Sequence, residues 1–418
     1  MIAFRLPSKS KIIPPTRPGW GCYIRHDQLA RRLAPYGPRD RLAARRNELF
    51  GVWTNGPSKG SHTEMTNLSW TKVIRPAFGF ACLIIASASP AADIPTCVLL
   101  ATGGTIAMKN DPVSHAPVPA VSGEELLASV PQIGDIAHIE VNNLSNIPSA
   151  YMDEGHWAAL QRAAAAALAR PEVAGVIVSH GTDTLEETAY FLDLTVASDK
   201  PIILIGAQRN GSDFDFDGPR NLINAAKVCA APDAKGKGAM LVMNGQINAA
   251  REVTKTHTSD VETFKSGDFG FLGNVDEDRI TFSRSPLRRQ HVALLDGKLP
   301  YVEIVPTFGG VTGNLMRAAV AAGAKGIVVQ ALGWGNVNIA MFNAIKDAIK
   351  AGIPVVISTR VPNGRVLPHY GFEGGGKTLR DAGAITADNL SPQKARILLM
   401  LALQKTHDSA EIQRMFDK

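Results

Sequence analysis

Cysteine is scarce in this chain: four in 418 residues, at positions 22, 82, 97 and 229. None stands in a Cys-x-x-Cys or Cys/His pattern, which excludes a structural zinc site and a disulfide framework. Aromatic residues make up only 6%, and no basic stripe interleaved with them points to nucleic acid. The longest N-terminal apolar run, residues 77–88, is too short to cross a membrane. A Gly-x-Gly-x-x-Gly turn is missing after the first strand-like run, which removes the dinucleotide-binding class. The formal net charge of +6 is uneven along the chain. Residues 1–88 hold 14 Lys and Arg against 4 Asp and Glu, leaving 30 basic against 34 acidic in the remainder. The basicity therefore belongs to the leader and says nothing about partners of the body.

The leader has a three-part pattern. Met65 is followed by Lys72 and Arg75, then by AFGFACLIIASA at 77–88, then by the small residues Ser89, Ala91 and Ala92 around Pro90. A basic flank, a short apolar run and a small-residue exit make a secretory signal peptide over 65–91, cleaved between about Ala88 and Ala91, and predict a periplasmic product. Residues 1–64 are rich in Arg and Pro without apolar periodicity, and are read as a non-native or disordered basic extension ahead of the true start at Met65. The mature chain keeps Cys97, in a strand-like run, and Cys229, late in an Ala-rich helical pattern. These settings favour two buried free thiols over one disulfide.

From residue 95 onward, apolar β-branched runs at 97–101, 174–179, 202–206 and 239–244 alternate with helical patterns at 153–170, 184–197 and 218–230. Such alternation predicts an α/β fold whose mostly parallel sheet is covered on both faces. The polar stretch 281–300 interrupts it. A second, smaller set follows, with strands at 302–305, 326–330 and 355–359 and helices at 311–322, 337–351 and 391–403. Two domains are expected, at 92–283 and 301–418, joined by a linker at 284–300.

Three segments carry chemistry. The first strand ends in Thr102-Gly103-Gly104-Thr105-Ile106-Ala107, a hydroxyl followed by two glycines at the strand end where α/β sheets bind ligands. Taken alone, it reads equally well as a plain turn. The second is His180-Gly181-Thr182-Asp183-Thr184 at the next strand-to-helix junction. Asp183 or Thr184 can cap the helix there, with Glu187 closing a capping box, but a cap leaves the other polar residues unexplained. The third is Val253-Thr254-Lys255-Thr256, where a lysine beside hydroxyls can exchange a proton with threonine.

In this order, with the first two about 80 residues apart, these motifs resemble the bacterial-type asparaginases and glutaminase-asparaginases. Glu186-Glu187-Thr188, Asp217-Gly218-Pro219, Arg360-Val361-Pro362 and Ser391-Pro392-Gln393-Lys394-Ala395-Arg396 extend the resemblance over residues 95–418. It implies hydrolysis of the side-chain amide of asparagine, and of glutamine as a second substrate, without cofactor or metal. It implies that Thr102 is the nucleophile, that Thr182 polarises the amide, that Asp183 receives the α-amino group and that Lys255 handles protons. Ser149 matches the serine that binds the α-carboxylate. Asn336 and Glu373 match residues supplied by a neighbouring subunit, in a homotetramer with sites at the dimer interface. No nucleic-acid partner and, after processing, no membrane contact are expected.

The pattern departs from the family in its lid. The tyrosine expected after the Thr-Gly-Gly-Thr loop falls at Ala116, and no tyrosine lies between Thr102 and Tyr151. Tyr151, His115 and the Thr182/Asp183/Lys255 cluster remain as groups to activate Thr102, with Tyr151 preferred because it is two residues from Ser149. Ala150 also replaces a Gln or Glu usual in the family. Two rival readings follow: a periplasmic amino-acid binding protein that lost turnover, and the subunit that deamidates glutamine on transfer RNA.

Overall fold

Continuous apolar runs become buried strands. The computed structural model describes residues 94–296 and 298–418, so the expectations for the leader lie outside the described residues. In chain order the first part holds β1 (Thr96–Gly103), β2 (Met108–Asn110), β3 (Pro117–Pro119), α1 (Gly123–Ala128), β4 (His138–Ile147), α2 (Glu154–Leu168), β5 (Val173–Ser179), α3 (Leu185–Thr195), β6 (Ile202–Ile205) and α4 (Gly218–Ala230). β7 (Ala239–Met243), β8 (Gln246–Ala249), β9 (Thr254–Lys255), β10 (Phe264–Lys265), β11 (Gly273–Val275) and β12 (Ile280–Phe282) follow. Eight of these strands form one sheet in the order β12-β11-β8-β7-β6-β5-β1-β4. β4, β1, β5, β6 and β7 are parallel, whereas β8, β11 and β12 add an antiparallel edge.

No helix or strand occurs between Phe282 and Val302 among the described residues. Beyond it, β13 (Val302–Pro306), α5 (Asn314–Ala321), β14 (Gly326–Ala331), α6 (Ile339–Lys350), β15 (Val355–Thr359), α7 (Gly376–Asp381), β16 (Ile385–Thr386), α8 (Pro392–Leu403) and α9 (Ser409–Phe416) complete the chain. The four strands form a second, parallel sheet in the order β13-β14-β15-β16.

Helix α8 is buried nearly all round, with Ala395 and the run from Ile397 to Leu403 out of solvent, which marks a helix inside the protein rather than on its surface. Pro392 starts it where a missing N–H costs nothing. One apolar core joins α8 to both sheets: Val98, Leu100, Phe191, Val328, Val356 and Leu398 belong to it. A second core, with Leu99, Ile177, Ile203 and Leu222, fills the other face of the large sheet against α4. The third lies under α5 and α6 of the small sheet.

One expectation and one alternative reading are corrected. Cys97 and Cys229 are joined in a disulfide, with Cα atoms 6.5 Å apart, and are not free thiols. Cys97 on β1 pairs in register with Gly175 on β5, and a Cβ at Gly175 would lie 3.0 Å from the Cys229 sulfur. The missing side chain is what lets α4 bring its cysteine down onto β1. The capping box weighed as the alternative at the start of α3 is absent: Thr184 is the N-cap residue, but its side chain bonds no helix N–H. Its hydroxyl donates instead to the Ser149 carbonyl, 2.8 Å away.

Candidate active site

In the parallel part of the large sheet, β1 is followed in space by β4 on one side and by β5 on the other. The connection after β1 leads to β4 on one side and that after β5 leads to β6 on the other, and the two loops therefore diverge to form a crevice at the strands' carboxyl ends. Thr102 ends one strand and Thr182 follows the other. Both are buried.

Glycines bring the two loops into contact. A Cβ on Gly104, at φ 83°, would fall 2.1 Å from the Gly181 Cα, so the backbones touch where no side chain fits. A Cβ on Gly181 would lie 2.6 Å from Ser149 Oγ. Three segments far apart in sequence thus converge: 102–104, 149–151 and 180–184. Ser149 is buried in a short 3₁₀ turn, and its Oγ accepts from the Asp183 N–H at 3.3 Å.

Lys255 closes the cluster from β9. Its Nζ donates to Thr182 Oγ1 at 2.9 Å and to Asp183 Oδ1 at 2.7 Å, and the Thr182 hydroxyl donates onward to Gln208 Oε1 at 3.4 Å. The Asp183 side chain is 71% exposed, so its second oxygen is open to a ligand. Thr102 Oγ1 donates to the Ser179 carbonyl at 2.9 Å, and its own carbonyl accepts from Ser145 Oγ at 3.0 Å. The cluster therefore offers two buried hydroxyls, one lysine and one half-committed carboxylate.

His180 takes no part in that chemistry. It is fully buried, with Nδ1 2.7 Å from the Gly181 carbonyl and Nε2 3.0 Å from Thr188 Oγ1. Trp157 Nε1 donates to the same hydroxyl, which is thereby free to donate to Nε2. The network assigns the neutral tautomer protonated on Nδ1, and burial pushes the imidazole down to about 4. Nearby, burial beside Glu186 pushes the Glu187 carboxyl up to about 7. Desolvation lowers the buried Lys394 to about 8.

The expected lid, residues 108–121, is the β2–β3 hairpin, tied down where Gly211 N donates to Met108 O and Asn110 N to Ser212 Oγ. His115 is exposed in its turn, at φ 55°. Tyr151 is 69% exposed. Neither is bonded to Thr102, whose hydroxyl faces Ser179. Asn336 and Glu373 sit together beyond the small sheet, where Val337 N donates to Gly374 O and Asn336 Oδ1 accepts from Gly376 N. They make no hydrogen bond to the Thr102–Lys255 cluster among the described residues. Two clefts of about 490 Å³ flank that cluster, one lined by Gly103, Asn146 and Ser179, the other by Thr254, Thr256 and Lys265.

Two contacts escaped the sequence reading. Gln208 reaches Thr182 from a loop after β6. Glu186 accepts from the Lys255 backbone N–H at 3.0 Å; a second acidic residue in the first turn of a buried helix was the available signal. No group of three or more metal-ligating side chains occurs among the described residues, and none of their helices is long and apolar enough to cross a membrane.

The "Asparaginase, N-terminal" family matches residues 96–288, and the "Glutaminase/Asparaginase C-terminal domain" family matches residues 301–416. The chain is 41% identical over 343 residues to "L-asparaginase 2" of Bacillus subtilis, covering 80% of this chain and 89% of that one. It is 38% identical to "Probable L-asparaginase periplasmic" of Haemophilus influenzae, over 79% of this chain and 95% of the other. Among solved structures, a "Probable Cytoplasmic L-asparaginase from Campylobacter jejuni" superposes with a TM-score of 0.71 at 38% identity, covering 78% of this chain and 99% of that chain. With both of its folded parts matched and its relatives covered nearly end to end, the chain belongs to the asparaginase family.

Proposed function

We propose that the protein hydrolyses the side-chain amide of L-asparagine to L-aspartate and ammonia, and that of L-glutamine as a second substrate, through a threonine acyl-enzyme. The observation that carries this reading is the contact of the loops after β1 and β5, which gathers two buried threonines, Lys255 and Asp183 at one crevice. In this reading the Thr102 oxygen adds to the amide carbon, and the hydroxyl proton passes to the nitrogen, which leaves as ammonia. Water then adds to the ester carbon, the Thr102 C–O bond to the acyl group breaks, and the hydroxyl is restored. Asp183 takes the substrate's α-ammonium and Ser149 its α-carboxylate. Asn336 and Glu373 complete the pocket of a neighbouring subunit in a homotetramer.

For activation of Thr102 we favour the hydrogen-bonded line Asp183–Lys255–Thr182, whose Thr182 hydroxyl is buried at the loop that touches Gly104, over Tyr151 and His115, which are exposed. Ammonia release from asparagine and glutamine by purified protein tests the reading, and mass spectrometry of a quenched reaction looks for acyl-Thr102. K255M should abolish acylation while Y151F and H115A turn over; loss of acylation in Y151F alone would return the role to the tyrosine. A protein that binds asparagine and releases no ammonia would support the rival binding-protein reading.

We further read the chain as exported, with residues 65–91 removed and domains at 92–283 and 301–418 around a linker. The Cys97–Cys229 disulfide favours an oxidising compartment, and one relative is described as periplasmic while a structural relative is described as cytoplasmic. Sequencing the N-terminus of natively expressed protein decides this: a start between Ser89 and Asp93 is expected, and retention of residues before Met65 would overturn it.

A further inference from the structure

Lys255 is held at two places by one short segment. Its ammonium bonds Thr182 and Asp183, and its backbone N–H bonds Glu186. All three partners fall within residues 182–186, where β5 turns into α3. The strand carrying Lys255, β9, is two residues long and among the described residues pairs only with β10, so the main sheet does not fix its position. The hairpin does not take up the Lys255 N–H, because it points to the carboxylate.

Glu186 is itself fixed from the other end of the chain. Its Oε1 accepts from Gln393 Nε2 at 2.6 Å, across 207 residues. The next residue of α8, Lys394, donates its Nζ to the carbonyls of Arg251, at 3.2 Å, and Val253. Glu186 is 5% exposed and Lys394 2%. Burying a carboxylate and an ammonium adds little net stability, because desolvation offsets their attraction. Two buried charges that bond the backbone at Arg251, Val253 and Lys255 have their clearest use in geometry: they select one path for residues 251–255.

We propose that Glu186, anchored by Gln393 of α8, is a positioning residue for Lys255, so that the first turn of a helix in the C-terminal domain sets the proton-handling side of the site. The inference rests on the reading that Lys255 acts in turnover. It does not require Glu186 to touch substrate. Lys394 supports the chain two and four residues upstream of Lys255, ahead of β9, which leaves the Lys255 amide as the point at which Glu186 alone acts.

The test compares kcat and KM for asparagine hydrolysis in K255M, E186A, E186Q, Q393E and the exchange variant E186Q/Q393E, with Tm measured for each. E186A, folded at the assay temperature, should lose about a hundredfold in kcat with a much smaller change in KM, the scale expected when a reacting group is misplaced by about an ångström. Q393E, which sets two carboxylates face to face, should also lose kcat. In E186Q/Q393E the amide introduced at position 186 can donate to the carboxylate introduced at position 393, while the carbonyl of that amide accepts from the Lys255 N–H. In that exchange variant kcat should therefore rise above that of Q393E, the slower single variant, because in E186Q the Gln393 amide can turn and keep the contact. An inactive K255M beside a folded E186A of parental kcat would overturn the positioning role and leave the role of Lys255 intact. An active K255M would instead remove the reading on which it rests. Should E186A not fold, the exchange decides alone: a double variant no faster than the slower single overturns the proposal.

Discussion

The parallel strands of the two sheets are built alike and do different things at their carboxyl ends. The large sheet reverses direction at β1, so the loops after β1 and β5 part and a crevice opens. The small sheet runs β13-β14-β15-β16 without reversal, and the cleft at the ends of β14 and β15, lined by Gln330, Thr359 and Arg360, is walled on its other side by Thr254 and Lys265. Its loops carry Trp334, Tyr370 and Phe372 in a stacked, half-exposed group beside Asn336 and Glu373. Buried hydroxyls gather at the first place and outward-facing aromatics at the second. Strand order, more than strand composition, separates the face that holds chemistry from the face that offers contacts.

The sharpest way to break this contrast is at Thr102. T102A removes one hydroxyl and one methyl group from a buried site without opening a cavity large enough to unfold the sheet. It should lower kcat by about a thousandfold or more, the scale for removing a nucleophile from a constellation that acts as a unit, with Tm close to the parent. Ammonia release with parallel thermal melts checks it. Turnover near parental would move the chemistry away from the β1/β5 crevice.

The disulfide belongs to the large sheet alone and ties β1, the strand ending in Thr102, to α4. It closes a separation of 132 residues, so its loss should cost about 3 to 5 kcal/mol on the loop-entropy account. A C97S/C229S variant compared with the oxidised parent in urea titration gives the value. A midpoint unchanged by the substitutions, or by reductant, would show that the cysteines are not paired in solution.

Strands β1, β5, β6, β7, β13, β14 and β15 were legible because each is a run rich in apolar and β-branched residues. β4 was not. It is an edge strand with a half-exposed pattern over HIEVNNLSNI, which carries no such run. β8, β11 and β12 are three or four residues long and antiparallel, too short for a period to show. The candidate residues Thr102, Ser149, Thr182, Asp183 and Lys255 were singled out through local motifs, and the segments that carry them meet in the structure. Glu186 and Gln393 were visible as letters but not as partners, because their bond spans 207 residues. The disulfide was missed for the same reason: each cysteine was read in its own setting, whereas pairing depends on Gly175, which neither setting contains.

The small sheet's role can be tested by mixing. If Asn336 completes a neighbouring pocket, N336A should raise KM about tenfold, the loss of one hydrogen bond to a charged group. Mixed oligomers of T102A and N336A should then recover a share of sites with the parental KM, which neither single preparation has, because one pocket in the mixture draws an intact residue from each chain. Assaying after co-refolding checks it; no recovery in oligomers shown to be mixed would assign Asn336 to its own loop.

The smallest expected effect concerns two groups beside the crevice that titrate in opposite senses. His180 is lowered from 6.5 to about 4 by burial. Between those values the unfolded chain binds the proton that the native one refuses, so this term makes stability rise with pH from about 4 to 6.5. Glu187 is raised from 4.5 to about 7, by burial first and by Glu186 second, against Arg396 and Lys394, which favour its charged form. Here the native chain holds the extra proton, and the term is fully present below pH 4.5 and lost as pH rises through 7. Between pH 5 and 7 the two slopes nearly cancel. E187Q keeps the shape of the protonated carboxyl and removes its titration, so the His180 slope should emerge: relative to the parent, the variant should gain about 1 to 2 kcal/mol from pH 5 to pH 7. Urea midpoints at the two pH values in both proteins measure the difference directly. Parallel profiles would mean that Glu187 is ionised in the native protein throughout this range, and that the start of α3 tolerates a buried negative charge next to Glu186.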